Sequence, residues 1–357
     1  MAAKAAAVPL VASGVLTIRY MAAVFAVRKE GGRSGKFLRP LDTGGAHPLE
    51  GSRGDATGMV ILHRAGAQEI PYRADIDGLR AIAVLAVIGF HANPAAVPGG
   101  FVGVDIFFVV SGFLITSLIL TKLRDGSFSF MEFYARRIRR LFPALVVVLL
   151  ATWILGWFIL PPTEYAALGR HTLAGAAFAA NILSYSEVGY FDVPAAAKPL
   201  LHLWSLGVEE QFYIVFPALL LLLWRYRAIG LSLALIGIVS FALNIALVRH
   251  HPAFTFYLPL TRFWEFMAGG LLACSYLLRE SFRLPTRFEL SGPRWRDVAA
   301  ATGLLLIVAG LALTSEECFP GWWAVLPVGG TFLIIAAGPQ AWLNRTALAH
   351  PKLVFVG

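Results

Sequence analysis

Four stretches of this chain, residues 141–160, 230–248, 298–315 and 322–339, contain no charged residue. Each is close to the ~20 apolar residues that a helix needs to cross bilayer hydrocarbon. A soluble domain of this length cannot bury four such stretches and still keep a polar skin. Composition agrees: 58% of residues are hydrophobic and 14% charged, against about 25% charged in an ordinary soluble domain. A soluble globular enzyme, a disordered chain and a disulfide-stapled secreted domain are excluded. The two cysteines, Cys274 and Cys318, are far apart and match no metal-ligand spacing.

Four more spans fit the remaining apolar sequence. Residues 81–121 hold one charge, Asp105, and are split near Asn93–Gly100 by Pro94, Pro98 and a glycine pair, which makes room for two helices and a tight turn. Residues 202–224 carry Glu209 and Glu210, and a last span fits 257–278. The expected fold is an all-α, polytopic transmembrane bundle of eight spans. Residues 171–186 are weakly apolar and read as a short embedded or surface helix.

The net charge of +9 sits between the apolar runs, so it reads as a topology signal rather than a nucleic-acid-binding face. Arg136, Arg137, Arg139 and Arg140 crowd the loop 122–140; Arg225 and Arg227 follow the fourth span; Arg279, Arg283, Arg287, Arg294 and Arg296 fill the loop 279–296. The alternate loops are poorer in basic residues, which puts the basic loops in the cytoplasm. Residues 1–58 read as a poorly structured or spurious extension, with Met59 as the natural start; an apolar run at 8–27 is broken by Arg19. The transmembrane domain is expected over 59–357. Its closing "HPKLVFVG" reads as the start of a further span.

Polar residues within spans are expensive and mark function or a structural pair. In "DGLRAIAVLAVIGFH", Arg80 and His91 lie eleven apart, about 16 Å along a helix. Arg80 is expected near the cytoplasmic face and His91 in the outer half. In "GGFVGVDIFFVVSGFLIT", Asp105 needs a partner or water, and Ser111 is a nucleophile only if a base lies beside it; otherwise it is a packing hydroxyl. In "FMEFYARRIRRLFP", four arginines within five residues precede a span. They serve as a topology and headgroup signal or as an anion site aided by a helix N-terminus near Pro143. In "PLLHLWSLGVEEQFYIVFP", His202, Glu209 and Glu210 occupy the outer part of a span; the two adjacent carboxylates cannot both face lipid, so at least one is expected to face a wet cavity. In "TRFWEFMAGG", Arg262 and Glu265 are spaced to neutralise each other. Together these features describe a two-sided site, with arginines for an anionic ligand on one side and a His–Glu set able to do acid–base work on the other.

The first four of these motifs, in this order, resemble the membrane-bound acyltransferase family 3, in the branch of bacterial O-acetyltransferases of O-antigen and other envelope polysaccharides, and the resemblance covers about residues 70–357. The resemblance implies ten membrane helices, two of them beyond the eight counted here, and an extracytoplasmic SGNH-type domain that often follows in this branch. It implies that His91 is the catalytic histidine, paired with Arg80. Arg137 and Arg140, or Arg136 and Arg139 in the other register, would bind acyl-CoA. Glu209 and Glu210 match the family's Glu-Glu-Gln stretch and Asp105 its Gly-Val-Asp, which makes them catalytic candidates, and Arg80 joins the arginines as a donor-binding candidate. Apart from the resemblance, His202, Arg262 and Glu265 are substrate-binding candidates, the last two second to their reading as a structural pair. The donor would be acetyl-CoA or another acyl-CoA with no metal, the acceptor a glycan or glycolipid such as lipopolysaccharide O-antigen or peptidoglycan, and the location a bacterial cytoplasmic membrane. The residues alone also fit a transporter or proton-coupled channel, although no repeated halves are visible, or a glycan-binding protein without turnover.

Overall fold

The computed structural model describes residues 72–189, 198–277, 292–315 and 319–357. The extension 1–58, Met59, the run 8–27, Arg279, Arg283, Arg287 and Cys318 lie outside the described residues. Those described are helical, with no strand among them.

Helix α1 (Ala74–Ala92) ends at Asn93. A 3₁₀ turn, Gly100–Val102, leads into α2 (Gly103–Arg124). Then follow α3 (Phe130–Ile159), α4 (Pro162–Ala176), α5 (Ala180–Glu187), α6 (Leu203–Arg225), α7 (Ile229–Leu247), α8 (Pro252–Tyr257), α9 (Phe263–Leu277), α10 (Pro293–Leu313), α11 (Val325–Ala337) and α12 (Pro351–Val356). Gly100–Arg124, α3, α6, α7 and α10 are each long and apolar enough to cross a bilayer. The other three expected spans correspond to α1, α9 and α11. Helix α1 carries Asp75, Asp77 and Arg80 in its first two turns, α9 has only 15 residues, and α11 reaches 17 with its leading 3₁₀ turn.

Two local expectations change. The arginine stretch does not precede its helix: α3 starts at Phe130, capped by Ser129, whose side chain accepts from the backbone N–H of Glu132. This Ser-x-x-Glu start is a helix-opening signal in its own right, so the arginines fall in the second and third turns. Pro143 lies inside the helix rather than near its start. The segment 171–186 is divided between α4 and α5, which meet at a turn where Phe178 takes φ 55°.

Helix α2 is buried on most of its circumference, whereas α3, α7 and α10 turn much of their surface outward. It packs most extensively against α9. The crossing is backbone on backbone. A Cβ on Gly112 would come within 2.0 Å of the Phe266 carbonyl oxygen, and one on Gly269 within 2.0 Å of that of Val109. Such small-residue contacts bring helices together where no hydrophobic drive separates protein from lipid.

Helix ends meet as an alternating topology requires. Arg73 donates to the Ile335 carbonyl at 3.3 Å, Tyr276 to that of Ala336 at 3.0 Å, and Asn344 to Asp75 at 3.0 Å. At the opposite side Gly99 N–H donates to Leu311 at 3.0 Å, the Phe101 and Phe319 rings lie 4.8 Å apart, and Asn181 donates to the Tyr257 carbonyl at 3.2 Å.

The expected span 257–278 is not one continuous α-helix: a short 3₁₀ turn, Pro259–Thr261, precedes α9. Residues 258–262 pass between α8 and α9, held by α7: Ser240 Oγ donates to the Leu260 carbonyl at 2.7 Å and Asn244 Nδ2 to that of Thr261 at 3.1 Å. Irregular backbone at membrane depth is tolerated where protein satisfies it in this way.

Candidate active site

Arg80 and His91 stand three turns apart on the same side of α1, since eleven residues rotate a helix by about three full circles. His91 is exposed. Its Nδ1 lies 2.8 Å from the Val87 carbonyl oxygen. A carbonyl only accepts, so Nδ1 carries the proton, and in the neutral ring Nε2 keeps its lone pair. That is the tautomer a general base needs. The His202 imidazole, one residue ahead of α6, is close enough to His91 for the two to interact electrostatically. Arg80 is paired with Asp77 at 3.3 Å.

Deeper in the bundle, α2, α3 and α6 share a polar knot. Arg137 grips Glu210 through Nε at 3.1 and 3.0 Å to the two carboxylate oxygens and through Nη2 to one of them. Its guanidinium carbon stands 3.2 Å over the ring of Tyr213. Tyr213 in turn donates its hydroxyl to Glu209 at 2.5 Å, and Ser111 Oγ donates to the same oxygen at 2.5 Å. Ser111 therefore has a carboxylate beside it. Next along α6, Gln211 and Asn181 of α5 exchange amide hydrogen bonds at 2.9 and 3.2 Å.

The other three arginines of the stretch behave differently. Arg136 pairs with Glu132 one turn earlier, and Arg139 donates to its own Ala135 carbonyl at 3.2 Å. Arg139 and Arg140 are exposed.

A second ionic cluster is wholly buried. Arg262, Asp105 and Glu265 each have no exposed side-chain surface. Arg262 Nη2 reaches Asp105 and Glu265 at 3.1 Å each, and its Nε lies 2.8 Å from Glu265. The rings of Phe108, Phe319 and Trp204 lie 5.4–5.9 Å from its guanidinium carbon. Two carboxylates and one guanidinium, all dry, make a costly set that mutual pairing offsets.

The structure thus brings the candidates together in three groups: His91 with His202, Arg137 with Glu210 beside Glu209, and Asp105 with Arg262 and Glu265. Sequence reading passed over Tyr213, Asn181, Gln211, Ser240 and Asn244. Tyr213 had a signal, since it stands four residues after Glu209 and so shares its helix face.

The acyltransferase domain family matches residues 73–350 of this chain. The chain belongs to that family. The acyltransferase domain is similar to an uncharacterized protein of Haemophilus influenzae, 33% identical over 249 residues, covering 66% of this chain and 98% of the relative. It is 30% identical over 306 residues to a Staphylococcus aureus protein named "Putative O-acetyltransferase SAS0844", covering 81% of this chain and 49% of that one. It is 36% identical over 233 residues to the Bacillus subtilis "Putative peptidoglycan O-acetyltransferase YrhL", covering 61% of this chain and 36% of that one. The chain thus spans about half the length of the staphylococcal relative. No solved structure matches it.

Proposed function

We propose that this membrane acyltransferase domain moves an acetyl group from acyl-CoA, presented at the cytoplasmic face of a bacterial inner membrane, to a hydroxyl of an envelope glycan such as peptidoglycan or O-antigen. The observation that carries this is the tautomer of His91. With Nδ1 tied to Val87, Nε2 is free to take the acceptor's proton at the end of α1 expected to face outward. As the acceptor oxygen attacks, the thioester carbon–sulfur bond breaks, and the proton leaves on the CoA thiol. Arginines of the 136–140 stretch supply the charge that a phosphate-rich donor requires. The staphylococcal and Bacillus relatives, named as O-acetyltransferases, favour acetyl as the group moved.

The test is radiolabelled acetyl-CoA supplied to membrane vesicles whose cytoplasmic face is outward. Label should appear on glycan only when the chain is present. Chain-dependent solute or proton flux with no labelled glycan would replace this reading with a transporter.

A further inference from the structure

The four arginines around α3 differ sharply in their surroundings. Arg137 spends its guanidinium on Glu210 and on the face of Tyr213. Its side chain is 22% exposed, against 40% for Arg136. At 100° per residue, pinning Arg137 inward places Arg140, Arg136 and Arg139 at about 60°, 100° and 160° round one flank of the helix. Their positions are thereby a consequence of where Arg137 points. Tyr213 is the piece that fixes that point: its ring lies under the guanidinium, and its hydroxyl is anchored on Glu209, which Ser111 of α2 also holds. One aromatic ring thus ties α3 to α6 and, through Glu209, to α2.

We propose that Arg137 is an internal anchor and not a phosphate ligand, and that Tyr213 and Glu210 are positioning residues that turn Arg136, Arg139 and Arg140 toward the anionic head of the acyl donor. This rests on the acyl-CoA reading above. It differs from a direct role for Arg137 in the sign of one effect. Glu210 is a negative charge bound to the guanidinium. Were Arg137 a phosphate ligand, Glu210 would compete with phosphate, and Glu210→Gln would leave donor binding unchanged or tighten it. For an anchor, the same change lets α3 rotate and weakens donor binding.

The experiment measures KM for acetyl-CoA and kcat for acetyl transfer with the full chain in lipid nanodiscs, alongside thermal unfolding. Glu210→Gln and Arg137→Gln should each raise KM by about 10- to 100-fold, the range expected from losing hydrogen bonds to a charged group, with a smaller change in kcat. Tyr213→Leu should raise KM likewise, and Tyr213→Phe, which keeps the ring, should recover most of the loss. The charge-swapped double variant Arg137→Glu with Glu210→Arg should regain much of the donor affinity. If the swap unfolds, the neutral double Arg137→Gln with Glu210→Gln takes its place and should bind the donor better than either single variant. A Glu210→Gln protein that binds acetyl-CoA as well as or better than wild type overturns the anchor. So does a set of folded double variants with no recovery. If wild type shows no acetyl-CoA-dependent transfer, the functional reading fails instead. The anchor then stands or falls on stability, which each single variant should lower and a double variant restore.

Discussion

At the scale of single residues, the proposed chemistry centres on His91. General-base catalysis contributes about 10²- to 10⁴-fold. His91→Ala should reduce acetyl transfer by that factor while the protein still inserts in the membrane, as read from labelled glycan against membrane-fraction abundance. The Arg262 cluster makes the opposite kind of prediction. Replacing Arg262 with Met leaves Asp105 and Glu265 buried without their counter-charge, and breaking such a set costs about 3–5 kcal/mol. Detergent-solubilised Arg262→Met should therefore unfold at markedly lower temperature or denaturant than wild type. That Asp105 needs a partner was legible from its place in an apolar run. That the partner is Arg262, 157 residues away, was not, because local spacing supplied a nearer explanation for Arg262 in Glu265. The structure keeps both pairings. That one of Glu209 and Glu210 must turn from lipid was legible, but the bond of Glu210 to Arg137 joins two helices whose contact no sequence spacing reports.

At the scale of elements, the uncharged runs gave the helices, and the caps decided where they stop. The start of α3 was misplaced because the apolar run begins at 141, whereas the capping serine stands twelve residues earlier. Ends set by polar caps are invisible to hydropathy. The shortening of α9 has a similar cause, since its turn is stabilised by α7 side chains rather than by its own sequence. The α2–α9 crossing invites a direct test. Leu at Gly112 would drive a side chain into the Phe266 backbone, which cannot yield as a flexible side chain would. Gly112→Leu should lose folded protein in a detergent-stability assay, and Gly112→Ala should be destabilised by about 1–3 kcal/mol. Outside the spans, α4 carries a pH-dependent contact. His171 Nε2 donates to the Glu187 carboxylate at 2.9 Å. Burial is the main influence on its imidazole and holds it below its ordinary pKa of 6.5; Glu187 pulls the other way, while Lys198 and Arg170 add to the lowering. A lowered folded-state value means the unfolded chain takes the proton more readily. The stabilising contribution is therefore full above pH 6.5 and is lost as the pH falls below it. Thermal midpoints of wild type should drop over that window, and those of His171→Asn should drop less.

At the scale of the whole molecule, the ends of α1, α9 and α11 near Arg73, Tyr276 and Ile335 meet on one side of the bundle, the side that the basic loops are expected to hold in the cytoplasm. In a background lacking native cysteines, Asp125→Cys should react with an impermeant thiol reagent only from the side proposed to receive acyl-CoA, and Asn93→Cys only from the opposite side. Labelling of both from one side would separate the arginine flank from the donor and undo the proposed reaction path. The turn at 258–262 also bears on biosynthesis. Its carbonyl groups at Leu260 and Thr261 find their donors on Ser240 and Asn244, about 10 Å and about 5 Å from the C-terminal end of α7. Bare in hydrocarbon, those carbonyls would be several kcal/mol too unfavourable to stay. The ribosome delivers α7 first. The donors on α7 are thus already made when the segment bearing Arg262 follows, an order of synthesis that suits what the turn requires.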